Sequence, residues 1–312
     1  MQQLEHARDF AQRKIITTVG NPEWRRRIAA ETLDRPSLFP HEILAIHDNA
    51  LENAIDHLQN GTGLVVYFNH FSMRDPAEVL KDLVLIAPDL LSYDIAGPLA
   101  YHQTYPGLLP LAQSFDISLK PVVTSDTEKK HKDYTRPTVG QRAQIVYDAL
   151  HQTVREKKVQ KLQLRRRLRK DEKHTLALDY LETAGETLKS GNIVIIAPET
   201  GRRDRLTPFP KRPLGMLVDS AVTQGVEKIA FLPISVIDLD SNEYKVSGFN
   251  RKHRYGLTIG ACLTLDDILD VAEEGSDQPL SPRQRFNVVD KVLYNRLRDL
   301  FPADHPALQR SE

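Results

Sequence analysis

Residues 64–75 read LVVYFNHFSMRD, and the order of residues in this stretch decides the fold. Its first five residues form a continuous apolar run, which predicts a strand buried on both faces of a sheet. A polar loop follows, and the sequence DPAE at residues 75–78 is typical of a helix start, with Asp75 at the N-cap. A buried strand that leads through a loop into a helix is the basic unit of α/β proteins.

The same alternation continues along the chain and predicts a mixed central α/β sheet flanked by helices. Strands are predicted at residues 120–124, 192–197, 229–237, 244–249 and 257–265. Helices are predicted at residues 75–86, 139–160, 174–190, 213–224 and 283–300. In such sheets ligands usually bind beyond the carboxyl ends of strands, which points to the residues that follow Phe68 and Ala197.

The first sixty residues have a different pattern and predict a small N-terminal helical subdomain at residues 1–60, ahead of an α/β domain at residues 61–312. Residues 2–33 are rich in Ala, Glu, Arg and Gln, which favour helices. Residues 41–59 place their apolar side chains at roughly helical spacing, which predicts an amphipathic helix.

The composition excludes several classes of protein. The chain of 312 residues carries 42 Lys or Arg and 42 Asp or Glu, and a zero net charge excludes a globally basic nucleic-acid-binding protein. Cys262 is the only cysteine, so no intrachain disulfide and no cysteine-based zinc site can form. Eleven histidines without an HExxH motif give no metal signal, so we expect neither a metal nor a cofactor.

Two features bear on the location of the protein. The longest apolar runs, such as residues 64–68 and 193–197, are far too short to span a bilayer. The N-terminal residues lack the basic and apolar regions of a secretory signal. We therefore expect a cytoplasmic protein, with peripheral membrane contact left open, or a protein of the plastid stroma if a plant chain has been trimmed.

His70 and Asp75 form the first candidate site. With His70 in the loop before the helix, the chain can turn back so that the Asp75 carboxylate holds one imidazole nitrogen. The other nitrogen can then act as a general base. No serine or cysteine nucleophile motif accompanies the pair, so its natural partner is a hydroxyl group of the substrate. The alternative is that Asp75 only caps a helix and His70 is an ordinary loop histidine, because five-residue spacings are common by chance.

A basic cluster directly after the strand predicted at residues 192–197 forms the second candidate site. It contains Arg202, Arg203 and Arg205. Arginine side chains suit bidentate binding of phosphate, so the cluster indicates a small phosphorylated ligand. A further basic segment at residues 129–132 also follows a predicted strand. Taken alone, either segment could equally be a solvated basic loop.

The order of these motifs resembles that of the glycerolipid acyltransferase family over residues 60–240. That family carries an N-H-x4-D block, a basic middle block, a P-E-G-T-R block and a strand with a central proline. Here Asn69, His70 and Asp75 match the first block, and residues 231–234, FLPI, match the last. The chain is most similar to the soluble plastid-type glycerol-3-phosphate acyltransferases, which read IAPSGGRDR where residues 196–205 read IAPETGRRDR, and SKKH where residues 128–131 read EKKH.

The resemblance implies acyl transfer from an acyl thioester to the sn-1 hydroxyl group of glycerol 3-phosphate, a step of phospholipid biosynthesis. His70 would be the general base and Asp75 its partner. The residues implied to bind the substrate are Lys130, His131, Glu199, Arg202, Arg203 and Arg205. One extra residue in the arginine block leaves it open whether Arg202 or Arg203 contacts the phosphate group.

The implied partners are glycerol 3-phosphate and a thioester of either acyl carrier protein or coenzyme A, with no nucleic acid. The basic segment at residues 155–173 is either a solvated helix face or a docking surface for an acidic carrier protein or an anionic membrane. Three alternatives stay open: an sn-2 lysophosphatidate acyltransferase of the same family, a non-catalytic phospholipid- or phosphate-binding module, and a thioester or ester hydrolase.

Overall fold

The computed structural model describes residues 41–70, 79, 82–83, 86–100, 117–122, 170–199, 206–210, 212–240, 254–273, 281–305 and 308. These residues form a mixed α/β sheet flanked by helices, which confirms the predicted fold class at that level. Within these ranges no helix has the length and apolar character that crossing a bilayer requires.

Eight strands form the sheet in the described part of the chain. They are β1 His41–Ile46, β2 Gly63–Phe68, β3 Ile95–Ala100, β4 Ile117–Val122, β5 Ile193–Ile196, β6 Ile229–Asp238, β7 Tyr255–Ile259 and β8 Leu263–Thr264. Their spatial order is β1-β7-β6-β2-β5-β3-β4, and β8 pairs with β6. Five neighbouring strands run parallel to one another, in the spatial order β6, β2, β5, β3 and β4. Strands β7 and β8 run antiparallel to β6, and β1 runs parallel to β7. The carboxyl ends of β2, β5 and β6 therefore meet at one edge of the sheet.

Helices cover both faces of this sheet. They are α1 Ala50–Gln59, α2 Lys170–Lys189, α3 Pro213–Thr223, α4 Leu265–Glu273 and α5 Pro282–Arg298. Val65 and Tyr67 of β2 pack in one core with residues of α2 to α5, whereas the intervening side chains of β2 pack in a second core with α1. All six residues of β2 are buried, which explains its unbroken apolar sequence, since each fully buried large apolar side chain contributes about 1.5–3 kcal/mol.

Pro233 lies inside β6 and has no N–H group to donate to a neighbouring strand. On the outer side of β6, β8 pairs with Ala230 and Phe231, and β7 begins to pair at Ile234. The carbonyl oxygen of Pro233 accepts a hydrogen bond from the Gly260 N–H group on that same outer side. Because the N–H and C=O groups of a strand residue point the same way, the missing N–H group also falls on this side, between β8 and β7, and the pairing of β6 with β2 continues through Pro233.

The predicted helix at residues 41–59 is wrong in its first part, because residues 41–46 form β1. Asp48 and Asn49 then adopt positive φ angles of 49° and 51°, and α1 begins directly after them at Ala50. Residues 1–40 lie outside the described residues, so the division into two domains near residue 60 stays a prediction. Any such division has to assign β1 to the sheet, because β1 pairs with β7 along its length.

Most of the other predicted strands are found. Residues 192–197 and 229–237 correspond to β5 and β6, and the strand predicted at 120–124 corresponds to β4, which begins at Ile117. The strand predicted at 257–265 is divided into β7 and β8, and β3 was not predicted. The strand predicted at 244–249 lies outside the described residues.

The helices predicted at 174–190, 213–224 and 283–300 are confirmed as α2, α3 and α5. Within residues 75–86, the described positions Val79, Asp82, Leu83 and Ile86 are helical. The helix predicted at 139–160 lies outside the described residues.

Asp290 of α5 joins that helix to the start of α3. Its two carboxylate oxygens accept hydrogen bonds from the backbone N–H groups of Leu214, at 3.2 Å, and Gly215, at 2.8 Å. These N–H groups lie in the first turn of α3, where no carbonyl group of the helix can reach them. Burial raises the pKa of Asp290 to about 6, against the lowering effect of the two hydrogen bonds and of Arg212.

We predict that the stability contributed by Asp290 falls as the pH rises from about 4 to about 7. The folded-state pKa of about 6 lies above the 3.8 typical of a free Asp carboxyl group. The folded protein therefore holds this proton more tightly than the unfolded chain does, and the contribution is complete below the unfolded pKa and lost as the pH rises through the folded one.

Urea denaturation at a series of pH values tests this prediction. Over this range the free energy of unfolding of the wild type should decline relative to that of Asp290→Asn. The control is Asp94→Asn, which makes the same chemical change at an exposed position. A difference between the wild type and Asp290→Asn that stays constant with pH would contradict the prediction.

Candidate functional site

The candidate site lies at the edge of the sheet where β2 and β5 end side by side. Their last paired residues are Tyr67 and Ile196. The same register, continued beyond both strands, sets His70 opposite Glu199, and the His70 backbone N–H group donates a hydrogen bond to Glu199 Oε2 at 2.6 Å. The histidine motif and the first residues of the arginine block are thus in direct contact.

Asn69 holds the chain on the side of β6. Its Nδ2 group donates a hydrogen bond to the carbonyl oxygen of Val236 at 2.8 Å, and its Oδ1 accepts one from the Val236 N–H group at 2.7 Å. The main-chain pairing of β2 with β6 ends one residue earlier, at Phe68 and Ile234. The carboxamide of Asn69 therefore continues the ladder after the backbone of β2 has left it.

Glu199 is fully buried. Burying a carboxylate is costly unless it is hydrogen-bonded, and the charge-assisted bond from the His70 N–H group is of the strong kind. Tyr294 of α5 lies in the surroundings of this carboxylate. Burial raises the pKa of Tyr294, Arg298 lowers it, and the negative charge of Glu199 raises it further. The α5 helix therefore places a phenol group within the electrostatic reach of both Glu199 and Arg298.

Phe209 packs in the core four residues after the arginine block. Its ring makes edge-to-face contacts with Tyr67, at 6.4 Å between ring centroids, and with Tyr294, at 5.7 Å. Such aromatic pairs contribute about 0.5–1.5 kcal/mol beyond their burial. The Tyr67 hydroxyl group donates a hydrogen bond to the carbonyl oxygen of Leu293 at 3.1 Å. Residues on both sides of the arginines therefore contact β2 or the loop after it: Glu199 binds His70 in that loop, and Phe209 packs against Tyr67 of β2.

Only two of the predicted site residues, His70 and Glu199, belong to the part of the chain that the structure describes, and they are in contact. The other predicted site residues lie outside it, and their roles stay predictions: Asp75, Lys130, His131, Arg202, Arg203 and Arg205. The predicted contact of Glu199 with substrate also stays a prediction. Sequence reasoning assigned no role to Asn69 or Tyr294. The feature of the sequence that could have indicated a role for Asn69 is its position directly between the buried strand and His70.

Cys262 is a weak candidate for chemistry. It is half-buried between β7 and β8, and burial, reinforced by Asp267, raises the pKa of its thiol to about 12. The thiol is therefore protonated near neutral pH and a poor nucleophile. Among the described residues no group of three or more His, Cys, Asp or Glu side chains is arranged to hold a metal ion.

No protein-family model matches the chain, and no curated protein sequence matches it significantly. The chemistry must therefore be inferred from the residues themselves. His70 is half-buried at the carboxyl edge of the parallel part of the sheet, and the side chains of Asn69 and Glu199 hold its backbone on the two sides. An imidazole group at such a place is suited to transfer a proton to or from a bound ligand.

We predict that Glu199→Ala releases the backbone of His70. Loss of the acceptor leaves the His70 N–H group without this bond, so its hydrogen should exchange faster, and the free energy of unfolding should fall by about 1–3 kcal/mol. Glu199→Gln keeps an acceptor oxygen and should retain most of the protection. Amide exchange followed by NMR measures both effects.

The matched control is Glu182→Ala, because Glu182 is exposed on α2. The His70 amide should exchange at the wild-type rate in that variant. If the His70 amide also exchanges at the wild-type rate in Glu199→Ala, the bond to Glu199 does not hold the loop.

Proposed function

We propose that the chain is an O-acyltransferase that moves a fatty acyl group from an acyl thioester to the sn-1 hydroxyl group of glycerol 3-phosphate. The hydrogen bond from His70 to Glu199 is the observation that supports it most. It joins the two sequence blocks, N-H-x4-D and the arginine block, on which the resemblance to the glycerolipid acyltransferases rests. The proposed acceptor carries both a hydroxyl group, for the proposed base, and a phosphate group, for the proposed arginine cluster.

In the proposed reaction the imidazole group of His70 accepts the proton of the acceptor hydroxyl group. The hydroxyl oxygen forms a bond with the thioester carbonyl carbon, and the C–S bond breaks as the tetrahedral intermediate collapses. The leaving thiolate takes the proton from the imidazolium, so that His70 returns to its starting state. The proposed role of the Asp75 carboxylate is to orient the imidazole and stabilise its charged form. Atoms and charge balance without a metal or a covalent enzyme intermediate.

The acceptor phosphate is proposed to bind to Lys130, His131 and the arginines. Arg202 follows Glu199 by three residues in the chain, and three residues span at most about 11 Å even when fully extended. The backbone of Arg202 therefore cannot lie farther than that from the backbone of Glu199, whose side chain contacts His70. This supports one acceptor that reaches both groups.

The acyl donor is proposed to be a thioester of acyl carrier protein or coenzyme A, because either carrier supplies the thiol leaving group that the reaction needs. The product is a lipid, whereas the acceptor is a small water-soluble anion. We therefore place the reaction in the cytoplasm, in peripheral contact with the membrane that takes up the product.

We predict that thiol release from an acyl thioester requires glycerol 3-phosphate and is lost in His70→Ala. Removal of a general base typically costs 10²–10⁴-fold in rate. A thiol-reactive dye follows the release with and without the acceptor. The matched control is His47→Ala, because His47 is exposed and follows β1, the outermost strand of the described sheet, which lies three strands away from β2.

The other outcomes identify the alternatives. Thiol release that does not depend on any acceptor would indicate a hydrolase. Release that occurs only with lysophosphatidate would indicate the sn-2 acyltransferase. No release with any acceptor and either carrier would contradict an enzymatic role and favour a phosphate- or phospholipid-binding module.

A further inference from the structure

Asn69 is the last fully buried residue before His70, and both hydrogen-bonding groups of its side chain are used. Its exposed fraction is 0%. The Nδ2 donor and the Oδ1 acceptor bind the carbonyl and N–H groups of one residue, Val236, at 2.8 and 2.7 Å. A carboxamide carries the same donor and acceptor pair as a peptide group. Asn69 therefore binds β6 as a strand residue would, but through its side chain.

Because the Asn69 side chain takes the place of the main chain in pairing with β6, the main chain can leave the sheet at a defined point. An ionised carboxylate at residue 69 would have no donor for the Val236 carbonyl oxygen, and a serine or alanine would leave at least one of the two peptide groups without its partner. A buried polar group without a partner costs about 1–3 kcal/mol. The structure of this turn therefore depends on the carboxamide itself and not only on a polar side chain.

The backbone of His70 is held from two directions. Asn69, the preceding residue, is bound to β6, and the His70 N–H group is bound to Glu199 after β5. The direction of the His70 side chain follows from the backbone position that these contacts fix. Misplacement of a reacting group by about 1 Å can cost roughly 100-fold in rate.

We propose that Asn69 is a positioning residue for the reaction, in that its paired hydrogen bonds with Val236 set the place of the His70 imidazole relative to the acceptor hydroxyl group. This inference rests on the proposed acyl transfer. It goes beyond a role in stability, because it assigns to Asn69 an effect on the chemical step that is separate from the effect on folding.

The test uses Asn69→Asp, which keeps the shape of the side chain. At high pH the introduced carboxylate faces the Val236 carbonyl oxygen without a donor. At low pH the protonated carboxyl group offers one O–H donor and one acceptor, like the carboxamide. With the rate of the wild type at the same pH as reference, kcat should fall roughly 10- to 100-fold at pH 8. It should recover towards pH 5, with little change in KM for either substrate.

The pH dependence of the free energy of unfolding gives a second, independent measurement. Burial next to a carbonyl oxygen raises the pKa of the introduced carboxyl group in the folded state. The free energy of unfolding of Asn69→Asp should therefore be close to that of the wild type at low pH and fall below it as the pH rises. The matched control is Asn53→Asp, because Asn53 also donates to a main-chain carbonyl group, that of Asp48 at 3.0 Å, but at an exposed position.

Exchange of the Val236 amide hydrogen, followed by NMR, shows whether the contact itself has been broken. Faster exchange together with a lower kcat in protein that is still folded supports the proposal. Faster exchange with an unchanged kcat overturns it, because Asn69 then only stabilises the fold. If Asn69→Asp does not fold at pH 8, Asn69→Gln takes its place, since it keeps the carboxamide but shifts it by one methylene group, and the same two results decide.

A failure of the proposed function has a different signature. In that case the wild type itself releases no thiol with any acceptor, and the positioning role is overturned together with the acyl transfer. A wild type that transfers acyl groups, combined with an unaffected Asn69 variant, overturns the positioning role alone.

Discussion

The parallel pairing of β2 with β5 on one side and β6 on the other is the constraint on which the candidate site depends. A slip of one residue would turn every side chain of β2 to the opposite face, and both faces are filled: Val65 and Tyr67 belong to one core, and Leu64, Val66 and Phe68 to the other. Apolar burial therefore fixes the register. The same register then sets Asn69 beside Val236 and His70 opposite Glu199, although neither of these polar contacts is strong enough to align the strands by itself.

Polar groups at the end of β2 are held by main-chain partners. Asn69 and Glu199 are both fully buried. A buried neutral group such as the Asn69 carboxamide costs about 1–3 kcal/mol without its hydrogen bonds, and a charged carboxylate costs more. Because the groups of such a network polarise one another in a medium of low dielectric constant, they favour one arrangement over its neighbours. The aromatic contacts of Phe209 with Tyr67 and Tyr294 add an apolar support on the side of α5. The residues beneath the candidate site thus belong to the same core that covers β2 and α5.

The central strands could be predicted because burial on both faces produces an unbroken apolar sequence, as in β2, β5 and β6. β3 was missed because it contains Gly97 and Pro98, which usually mark loops, and its pairing with β5 ends at Ala96, before the proline. β1 was missed because a half-exposed strand at the end of the sheet has apolar positions that also fit a helix. The contacts of His70 and Asn69 could not be predicted, since they join residues 129 and 167 positions apart and depend on the order of the strands.

A general base has to be fixed in place and still be able to exchange a proton. The hydrogen bonds described above fix His70 through its own backbone N–H group and through the preceding residue. Orientation of the imidazole ring is the role proposed for Asp75. In the proposed mechanism, different residues set the position and the orientation of the base: Asn69 and Glu199 hold its backbone, and Asp75 would orient its ring. A strand end suits this division, because the hydrogen bonds of the sheet stop there and side chains take over.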